Sequence, residues 1–267
     1  MNPHAPDLHI DTRRYPIDDR GSTAYGALLD DCRAAMAADG ACVLEGFVDT
    51  AGVAEIITEV GPHLDRAFFK AKTHNVYLVE DDPAFRPEHP RNRKIDTTSA
   101  TLGYDAIPKG GLLDGIYRWP ALHDFLAAVL GYDTLYPNCD PLSPLNVLVY
   151  NPGTTTGWHF DNANFVVTLM LQPAEQGGAY EYAPFIRDEE PETYDRIETI
   201  IDGRSDAVKV LRQPAGALVI FQGCRTLHRV TTVAGETPRL VGVFTYSPEP
   251  GTALDPHTRM TFYGKVA

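Results

Sequence analysis

The sequence predicts an α+β protein in which N-terminal helices brace a cupin-like double-stranded β-helix, or jelly-roll, core. Helical periodicity with capping residues dominates the first half, and from residue 135 onward the pattern changes to short apolar runs separated by turn residues. Many short strands at this spacing are typical of a β-sandwich or barrel. We therefore expect one domain over residues 1–267, with helical support and a lid region in 1–134 and the jelly-roll core in 135–267.

The N-terminal half begins with a helix, a strand and a second helix. Ser22 or Thr23 is a suitable N-cap for an amphipathic segment that stops at Gly40. Residues Ala41–Phe47 are apolar enough for a strand, and the second helix is expected to begin near Thr50. The first strand is thus predicted to lie between two helices.

A polar segment rich in proline and glycine follows, from about Lys70 to Gly111, and within it only Asn75–Val79 looks like a strand. A long segment without regular structure is usually a functional lid or binding loop. The next helix is predicted at Pro120–Leu130, because proline favours the first helical turn and Gly131 follows the last.

The C-terminal half contains seven short apolar runs and one segment, Glu190–Ile201, with helical character. The turns between the runs are rich in proline and glycine. The predicted core strands are Leu145–Tyr150, Phe165–Leu171, Ala179–Tyr182, Ala207–Leu211, Ala217–Phe221, His228–Val233 and Leu240–Tyr246.

The formal net charge of −13 argues against a nucleic-acid partner, because gripping phosphates requires a concentrated basic surface. The one short basic run is Arg91–Lys94. No apolar stretch has the length of a membrane span, and four scattered cysteines indicate free, buried thiols. We expect a cytoplasmic protein that has no membrane partner.

The segment Gly157–Asp161 carries the most informative pattern in the chain. Alternate residues of a strand point to the same face, so His159 and Asp161 are directed at a common point. His228 begins a later predicted strand and is a suitable third ligand. Two histidines and one carboxylate on one face of an octahedral metal leave three positions open, as in non-haem Fe(II) oxygenases. A His-x-Asp pair alone is weak, because most such pairs are structural or solvated.

Arg239 adds weight to the metal site. It follows His228 at the start of the next predicted strand, and its guanidinium is suited to bind a carboxylate with two hydrogen bonds. Thr168, one strand-length beyond Asp161, is a candidate for a second contact to the same carboxylate. The alternatives are an exposed strand-start arginine and an ordinary β-branched strand residue.

The chain resembles the Fe(II)/2-oxoglutarate-dependent dioxygenases and, from about Tyr117 to Gly264, the hydroxylase relatives of the carrier-independent radical amino-acid halogenases. Six stretches carry this resemblance: Tyr117-Arg118-Trp119-Pro120, Asp140-Pro141-Leu142, Gly157-Trp158-His159-Phe160-Asp161, Gly177-Gly178-Ala179-Tyr180-Glu181-Tyr182, Leu227-His228-Arg229-Val230-Thr231 and Tyr263-Gly264. The resemblance implies Fe(II), 2-oxoglutarate and O2 as cofactor and cosubstrates, with His159, Asp161 and His228 as ligands and Arg239 at the distal carboxylate of 2-oxoglutarate.

The halogenases that the chain resembles carry a small residue where Asp161 stands, which leaves room for a halide on the metal. The carboxylate of Asp161 occupies that position here. The resemblance together with this departure therefore implies hydroxylation rather than halogenation.

The substrate contacts are predicted from the resemblance and from the basic run in the lid. An arginine of this region binds the substrate carboxylate in the amino-acid enzymes, so Arg91 and Arg93 are candidates; Asp140 is a candidate for a substrate amine. The lysine-acting relatives have histidine and aspartate where this chain has Thr156 and Asn162, which weakens a transfer of lysine specificity. Asn162 is retained as a contact. For Arg91 and Arg93 a solvated loop is the alternative, and for Asp140 a turn-capping role.

The function predicted from the sequence is hydroxylation of a free amino acid or a small amino-acid-like metabolite, and a homodimer is a candidate assembly. A desaturase or cyclase that uses 2-oxoglutarate is an alternative among enzymes. A non-catalytic metal-binding jelly roll is the alternative from another class, and Arg239 argues against it, because a structural metal site needs no carboxylate clamp.

Overall fold

The computed structural model describes residues 8–187 and 194–266, and its first helix, α1, spans Thr23–Asp39. The Ser22 side chain accepts a hydrogen bond from the Tyr25 backbone N–H, which satisfies one donor of the first turn. Gly40 ends the helix with a φ of 65°, a left-handed conformation that glycine adopts without steric cost. The sequence therefore predicts both ends of this helix correctly.

Five further α-helices and two 3-10 helices follow in the part of the chain that the structure describes. A 3-10 helix, Gly61–Arg66, continues the second helix, and another covers Tyr104–Ala106. The described part of the predicted 190–201 helix begins at Tyr194; its first residues lie outside the described ranges. The third and sixth helices were not predicted. In chain order they are α2 Thr50–Val60, α3 Leu112–Arg118, α4 Pro120–Leu130, α5 Tyr194–Ile201 and α6 Pro256–Tyr263.

The strands are short, and those of the C-terminal half follow the predicted apolar runs closely. Their bounds are β1 Ala41–Leu44, β2 Phe68–His74, β3 Ile95–Leu102, β4 Tyr136–Pro137, β5 Leu145–Tyr150, β6 Thr156–His159, β7 Val166–Gln172, β8 Gln176–Gly177, β9 Tyr180–Ala183, β10 Lys209–Leu211, β11 Leu218–Phe221, β12 Leu227–Val230, β13 Val233–Ala234, β14 Arg239–Phe244 and β15 Tyr246–Ser247.

Two antiparallel sheets form the core and confirm the predicted jelly-roll fold. The larger sheet has seven strands in the order β1-β11-β7-β14-β5-β3-β2, and the smaller has four in the order β10-β9-β12-β6. The short strands β8 and β13 pair with each other, as do β4 and β15. The non-consecutive order means that strands distant in sequence become neighbours, which brings the two halves of the metal-site pattern together.

The larger sheet separates a helix-facing core from an inner face that is directed at the smaller sheet. On β5, Leu145, Val147 and Val149 belong to the core packed against the helices. Since side chains alternate along a strand, Asn146 and Tyr150 point to the other side. Tyr150 packs there with residues next to the smaller sheet. The candidate cosubstrate-binding residues of the larger sheet, Arg239 and Thr168, belong to this inner face.

The predicted lid is partly wrong. Residues Phe68–His74 and Ile95–Leu102 form an antiparallel pair at the edge of the larger sheet, whereas Asn75–Val79 is not a strand. The polar alternation of β3 concealed the strand, because Ser99 and Thr101 lie on the inner face rather than in an apolar core. The longest irregular part of the predicted lid is therefore residues 75–94.

Strands from both halves of the chain share the larger sheet, with β1, β2 and β3 coming from residues 1–134. A single domain stays our prediction. Cys32 and Cys42 are buried as expected, but Cys139 is exposed and Cys224 is half-buried. In the part of the chain that the structure describes, no helix combines the length and apolarity needed to cross a membrane.

Candidate metal centre

The three predicted ligands converge. His228 on β12 pairs directly with His159 on β6, and their ring centroids lie 4.2 Å apart. Asp161 follows two residues after the end of β6, and its Oδ1 lies 3.5 Å from Nε2 of His159 and 3.6 Å from Nε2 of His228. The candidate ligand atoms all lie within 4.8 Å of one another. This spacing is suitable for one metal ion.

Backbone carbonyl groups fix the orientation of both imidazoles. His159 Nδ1 lies 2.8 Å from the Gly157 carbonyl oxygen, and His228 Nδ1 lies 2.9 Å from the Thr226 carbonyl oxygen. A carbonyl can only accept, so each Nδ1 carries the proton and each Nε2 presents its lone pair to the common point. Such outer hydrogen bonds are typical of metal-binding histidines.

The pKa values of His159 and Asp161 are shifted by burial and by neighbouring charges. Burial lowers the pKa of His159, and the adjacent His228 ring lowers it further. Burial by itself would raise the pKa of Asp161, but the positive charge that the two imidazoles carry when protonated outweighs that effect and holds the pKa well below its ordinary value. A carboxylate and neutral imidazoles are the forms that bind a divalent cation.

His74 lies near this cluster without joining it. Its ring centroid is 6.2 Å from that of His159. However, its Nε2 is 2.7 Å from the Thr97 hydroxyl and its Nδ1 is 2.9 Å from the Asn75 carbonyl oxygen, so both ring nitrogens are engaged. His74 is therefore a structural histidine.

Arg239 begins β14 on the inner face of the larger sheet, and it is 4% exposed. Its Nη2 donates to Oε1 of Gln213 at 2.7 Å, and its guanidinium carbon lies 5.4 Å from the Tyr150 ring centroid. Burial lowers the pKa of Arg239. Among the described residues no carboxylate lies within 4.0 Å of it, which is unusual for a buried cation.

The Tyr180 ring packs against one of the two histidines. It stacks on His228 with the centroids 5.5 Å apart and the planes 20° from parallel. Burial raises the pKa of Tyr180, the negative charge of Asp161 raises it further, and Arg239 lowers it. Asp161 and Arg239 are therefore both near enough to Tyr180 to influence its pKa.

Thr168 shares the inner face, since its neighbours Val167 and Leu169 are in the helix-facing core. It pairs with Val243, four residues along β14 from Arg239. At about 3.4 Å per residue that is roughly 14 Å along the strand. A shared contact with one carboxylate requires the guanidinium to lean along β14, and it stays a prediction.

Two of the four predicted substrate contacts remain available. Arg91 is half-buried above the Tyr77 ring, 5.0 Å from its centroid, and its Nη2 donates to the Glu80 carbonyl at 3.3 Å. Its Nη1 is buried and has no hydrogen-bond partner in the described residues. Asn162 is exposed and directly follows Asp161. Both roles stay predictions.

The contacts of Asp140 agree with the alternative of a turn-capping role, and its predicted contact with a substrate amine stays a prediction. The side chain is fully buried, and its Oδ2 accepts hydrogen bonds from Arg259 Nε at 2.7 Å and from the Leu254 N–H at 3.1 Å. Its Oδ1 accepts from the Leu142 N–H at 2.8 Å. This carboxylate caps a turn, and both of its oxygens accept hydrogen bonds from the chain.

Arg93 is also engaged by the chain, because its Nη1 lies 2.5 Å from Oδ1 of Asp202. Its predicted substrate contact would have to break this ion pair. A cavity of about 450 Å³ lies beside Asp140, lined also by Tyr104, Tyr117 and Arg118, and it includes none of the three candidate ligands. We therefore do not place the substrate there.

The sequence analysis did not identify the residues that surround the arginine. Gln213, Tyr150 and Tyr180 all contact or influence Arg239. A signal for Tyr180 was present, because it belongs to the Gly177–Tyr182 motif and pairs with Val230, two residues beyond His228. Gln213 lies in the loop between β10 and β11 and gave no signal.

Comparison with solved structures defines the class. AviO1 from Streptomyces viridochromogenes Tue57 is 14% identical, with 85% of this chain and 97% of that chain covered and a TM-score of 0.55. The epimerase SnoN, in complex with Fe3+, alpha ketoglutarate and nogalamycin RO, is 16% identical, with 86% and 93% covered and a TM-score of 0.54. A 2OG-Fe(II) oxygenase family protein from Burkholderia pseudomallei is 15% identical, with 84% and 92% covered and a TM-score of 0.52. The fold is that of the 2-oxoglutarate- and Fe(II)-dependent oxygenases.

A family model described as Halogenase D matches residues 90–261, which is well over half of the chain. The chain belongs to this family. No curated protein matches the sequence. Fe(II) and 2-oxoglutarate are the cofactor and cosubstrate of this class of fold, and a site of two imidazoles, one carboxylate and a buried guanidinium fits both.

Proposed function

We propose that the protein is an Fe(II)- and 2-oxoglutarate-dependent dioxygenase that hydroxylates a free amino acid or a small amino-acid-like metabolite. In this proposal His159, Asp161 and His228 hold the iron, and Arg239 binds the distal carboxylate of 2-oxoglutarate. The fold and the family support the class of reaction. The choice of hydroxylation and of substrate comes from the residues of this chain.

The observation that carries the proposal is the buried guanidinium of Arg239. A cation at 4% exposure, without a carboxylate within 4.0 Å among the described residues, is costly unless an anion binds it. Gln213 supplies a neutral partner only, and the guanidinium fork is suited to a carboxylate. A purely structural metal site has no need of this arginine, so the arrangement favours an enzyme.

When bound, the iron and 2-oxoglutarate supply the oxidising power for attack on an unactivated C–H bond. The protein positions the reactants. The carbonyl groups of Gly157 and Thr226 hold both imidazoles in the required tautomer. The ring centroids of Phe221 and His228 lie 5.0 Å apart, with the two planes at 75°. These contacts orient the ligands and exclude water from one side of the site.

Asp161 supports hydroxylation over halogenation. Its Oδ1 faces both Nε2 atoms, so the carboxylate takes the ligand position that a halide would need. The family model is named for a halogenase. In this chain, however, the Asp161 carboxylate would occupy the metal position that a halide needs. We therefore propose that oxygen, not chlorine, is transferred to the substrate.

Arg91 supports a substrate that carries a carboxylate. Its Nη1 is buried without a hydrogen-bond partner in the described residues. The Tyr77 ring beneath it lies 5.6 Å from the ring of Phe160, which lies between His159 and Asp161 in the sequence and packs in the apolar cluster that contains Tyr77. Asn162, exposed beside Asp161, is our second candidate contact.

The experiment is a screen of amino acids and their simple derivatives with Fe(II), 2-oxoglutarate, O2 and chloride present. We expect succinate to form in step with one product that has gained a single oxygen atom. A chlorinated product would contradict the role of Asp161, and a product that has lost two hydrogens would favour the desaturase or cyclase alternative.

The matched control is His159→Ala, which removes one ligand and should abolish succinate formation while the fold is retained by circular dichroism. If the wild-type protein binds a divalent metal but never consumes 2-oxoglutarate with any compound of the panel, the non-catalytic metal-binding jelly roll becomes the better description.

A further inference from the structure

Gly223 lies directly against the Asp161 carboxylate, in the buried turn between β11 and β12. A Cβ atom built on Gly223 would lie 1.8 Å from Oδ2, 2.6 Å from Cγ and 3.0 Å from Cβ of Asp161. Atoms of a folded protein do not approach so closely, and interiors are too densely packed to absorb the overlap. The carboxylate therefore fits only because residue 223 has no side chain.

The backbone gives no other reason for a glycine at this position. Gly223 is absent from the glycines with a positive φ, so alanine is compatible with its main-chain conformation. The three atoms nearest to the added Cβ all belong to Asp161. The requirement is steric, and it comes from a single side chain.

Gly223 also holds the Asp161 backbone, since the Asp161 N–H donates to the Gly223 carbonyl oxygen at 3.0 Å. Of the two carboxylate oxygens, Oδ1 faces the imidazoles and Oδ2 lies against Gly223. The main-chain bond and the missing side chain together determine which oxygen is presented to the cluster.

We propose that Gly223 is a positioning residue that seats the Asp161 carboxylate on the metal. The inference rests on the proposed function for the identity of the three ligands. It adds a second requirement to the presence of aspartate: residue 223 must be small. The pair of residues at 161 and 223 thus determines whether a carboxylate can complete the ligand set.

The test measures Mn(II) affinity by electron paramagnetic resonance on the full chain, without substrate. Gly223→Ala should weaken Mn(II) binding by about 10- to 100-fold, which is the usual effect of losing an outer contact to a metal ligand. In an Asp161→Gly background the same change should alter the affinity by less than about twofold, because no carboxylate remains to be displaced.

Gly26→Ala is the matched control. Gly26 lies in α1, its φ is not positive and no atom lies within 4 Å of an added Cβ. The same chemical change there should leave Mn(II) affinity unchanged. If Gly223→Ala does not fold but Asp161→Gly/Gly223→Ala does, the clash with the carboxylate is demonstrated directly.

Three results would overturn the inference: wild-type Mn(II) affinity in Gly223→Ala, an equal loss in both backgrounds, or failure of the double variant to fold. Failure of the proposed function gives a different result. In that case wild-type protein binds no Mn(II), or His159→Ala binds it as tightly as wild type does.

Discussion

Two buried aspartates, Asp161 and Asp140, occupy opposite situations in the same molecule. Every oxygen of Asp140 is used by its own chain, through the Arg259 guanidinium and backbone N–H groups such as those of Leu142 and Leu254. Asp161 instead faces two imidazoles whose other nitrogens already have partners. The hydrogen bonds of Asp140 are satisfied by its own chain, whereas in our proposal the carboxylate of Asp161 is satisfied by a bound metal ion.

Arg93 and Arg239 differ in the same way as the two aspartates. Arg93 is paired with Asp202 at the surface, whereas the buried Arg239 has a neutral amide as its hydrogen-bond partner in the described residues. Residue type and burial alone do not separate structural from functional charges. The difference lies in whether the fold itself supplies the counter-charge.

The largest effect is expected for Asp161→Gly. Loss of a ligand should reduce substrate-coupled hydroxylation by more than about 100-fold, beyond the range usual for outer contacts to a metal. The free energy of unfolding of the metal-free protein should change little. Product analysis and urea unfolding measure the two quantities, and wild-type turnover would remove Asp161 from the ligand set.

Arg239→Ala should weaken 2-oxoglutarate binding by about 2 kcal/mol or more, roughly 30-fold, because a buried carboxylate would lose its charged partner. Titration of the Mn(II)-loaded protein with 2-oxoglutarate measures the affinity. Arg239→Lys should recover only part of the loss, since an ammonium lacks the planar fork. An unchanged affinity would place the cosubstrate elsewhere.

Asp140→Asn should affect stability rather than metal binding. It should lower the free energy of unfolding by about 3 kcal/mol, because it leaves Arg259 without its buried counter-ion. Mn(II) affinity should stay at the wild-type value. Urea unfolding with and without Mn(II) separates the two effects. A large loss of metal affinity would show that the Asp140 turn is coupled to the metal centre.

The stability of the protein at acid pH should also depend on the Asp140 carboxylate. Burial alone would raise the pKa of Asp140, but the Leu142 N–H and Arg259 outweigh it and hold the pKa below its ordinary value. The stabilisation is therefore present above about pH 4, the unfolded value, and is lost as the pH falls through the folded pKa. Asp140→Asn should flatten this acid limb in urea midpoints measured from pH 6 downward.

The smallest effect is expected for Arg93→Ala. Its ion pair with Asp202 is partly exposed, and such pairs contribute at most about 1 kcal/mol. Affinity for 2-oxoglutarate should not change. A rise in the KM of an identified substrate would instead restore the substrate contact predicted for Arg93.

Local sequence signals predicted much of the fold. Ser22 and Gly40 mark the ends of α1, and Leu145–Tyr150 is a strand with the predicted bounds. The metal cluster could also be predicted, because the side chains of His159 and Asp161 are close in sequence and point the same way. Such features depend on capping, alternation and short spacing, which a single sequence displays.

Features that depend on pairing between distant segments could not be predicted. The strand β3 has a polar inner face, so it resembles a loop until β2 and β5 are known to flank it. The partner of Asp140 is Arg259, 119 positions away. Gly223 meets Asp161 only after the sheets are assembled, and in the sequence it looks like any glycine in a turn after a strand.

The carbonyl groups behind the two histidines have a consequence for how the protein acquires its ion. Gly157 and Thr226 orient the rings through hydrogen bonds to their own backbone carbonyl groups, so the orientation of the rings does not depend on a bond to an ion. Folding can therefore precede loading, and a chelator should strip the ion while leaving the barrel intact. We therefore expect an exchangeable ion on an already folded scaffold, unlike the zinc of a finger domain, which is needed for folding itself.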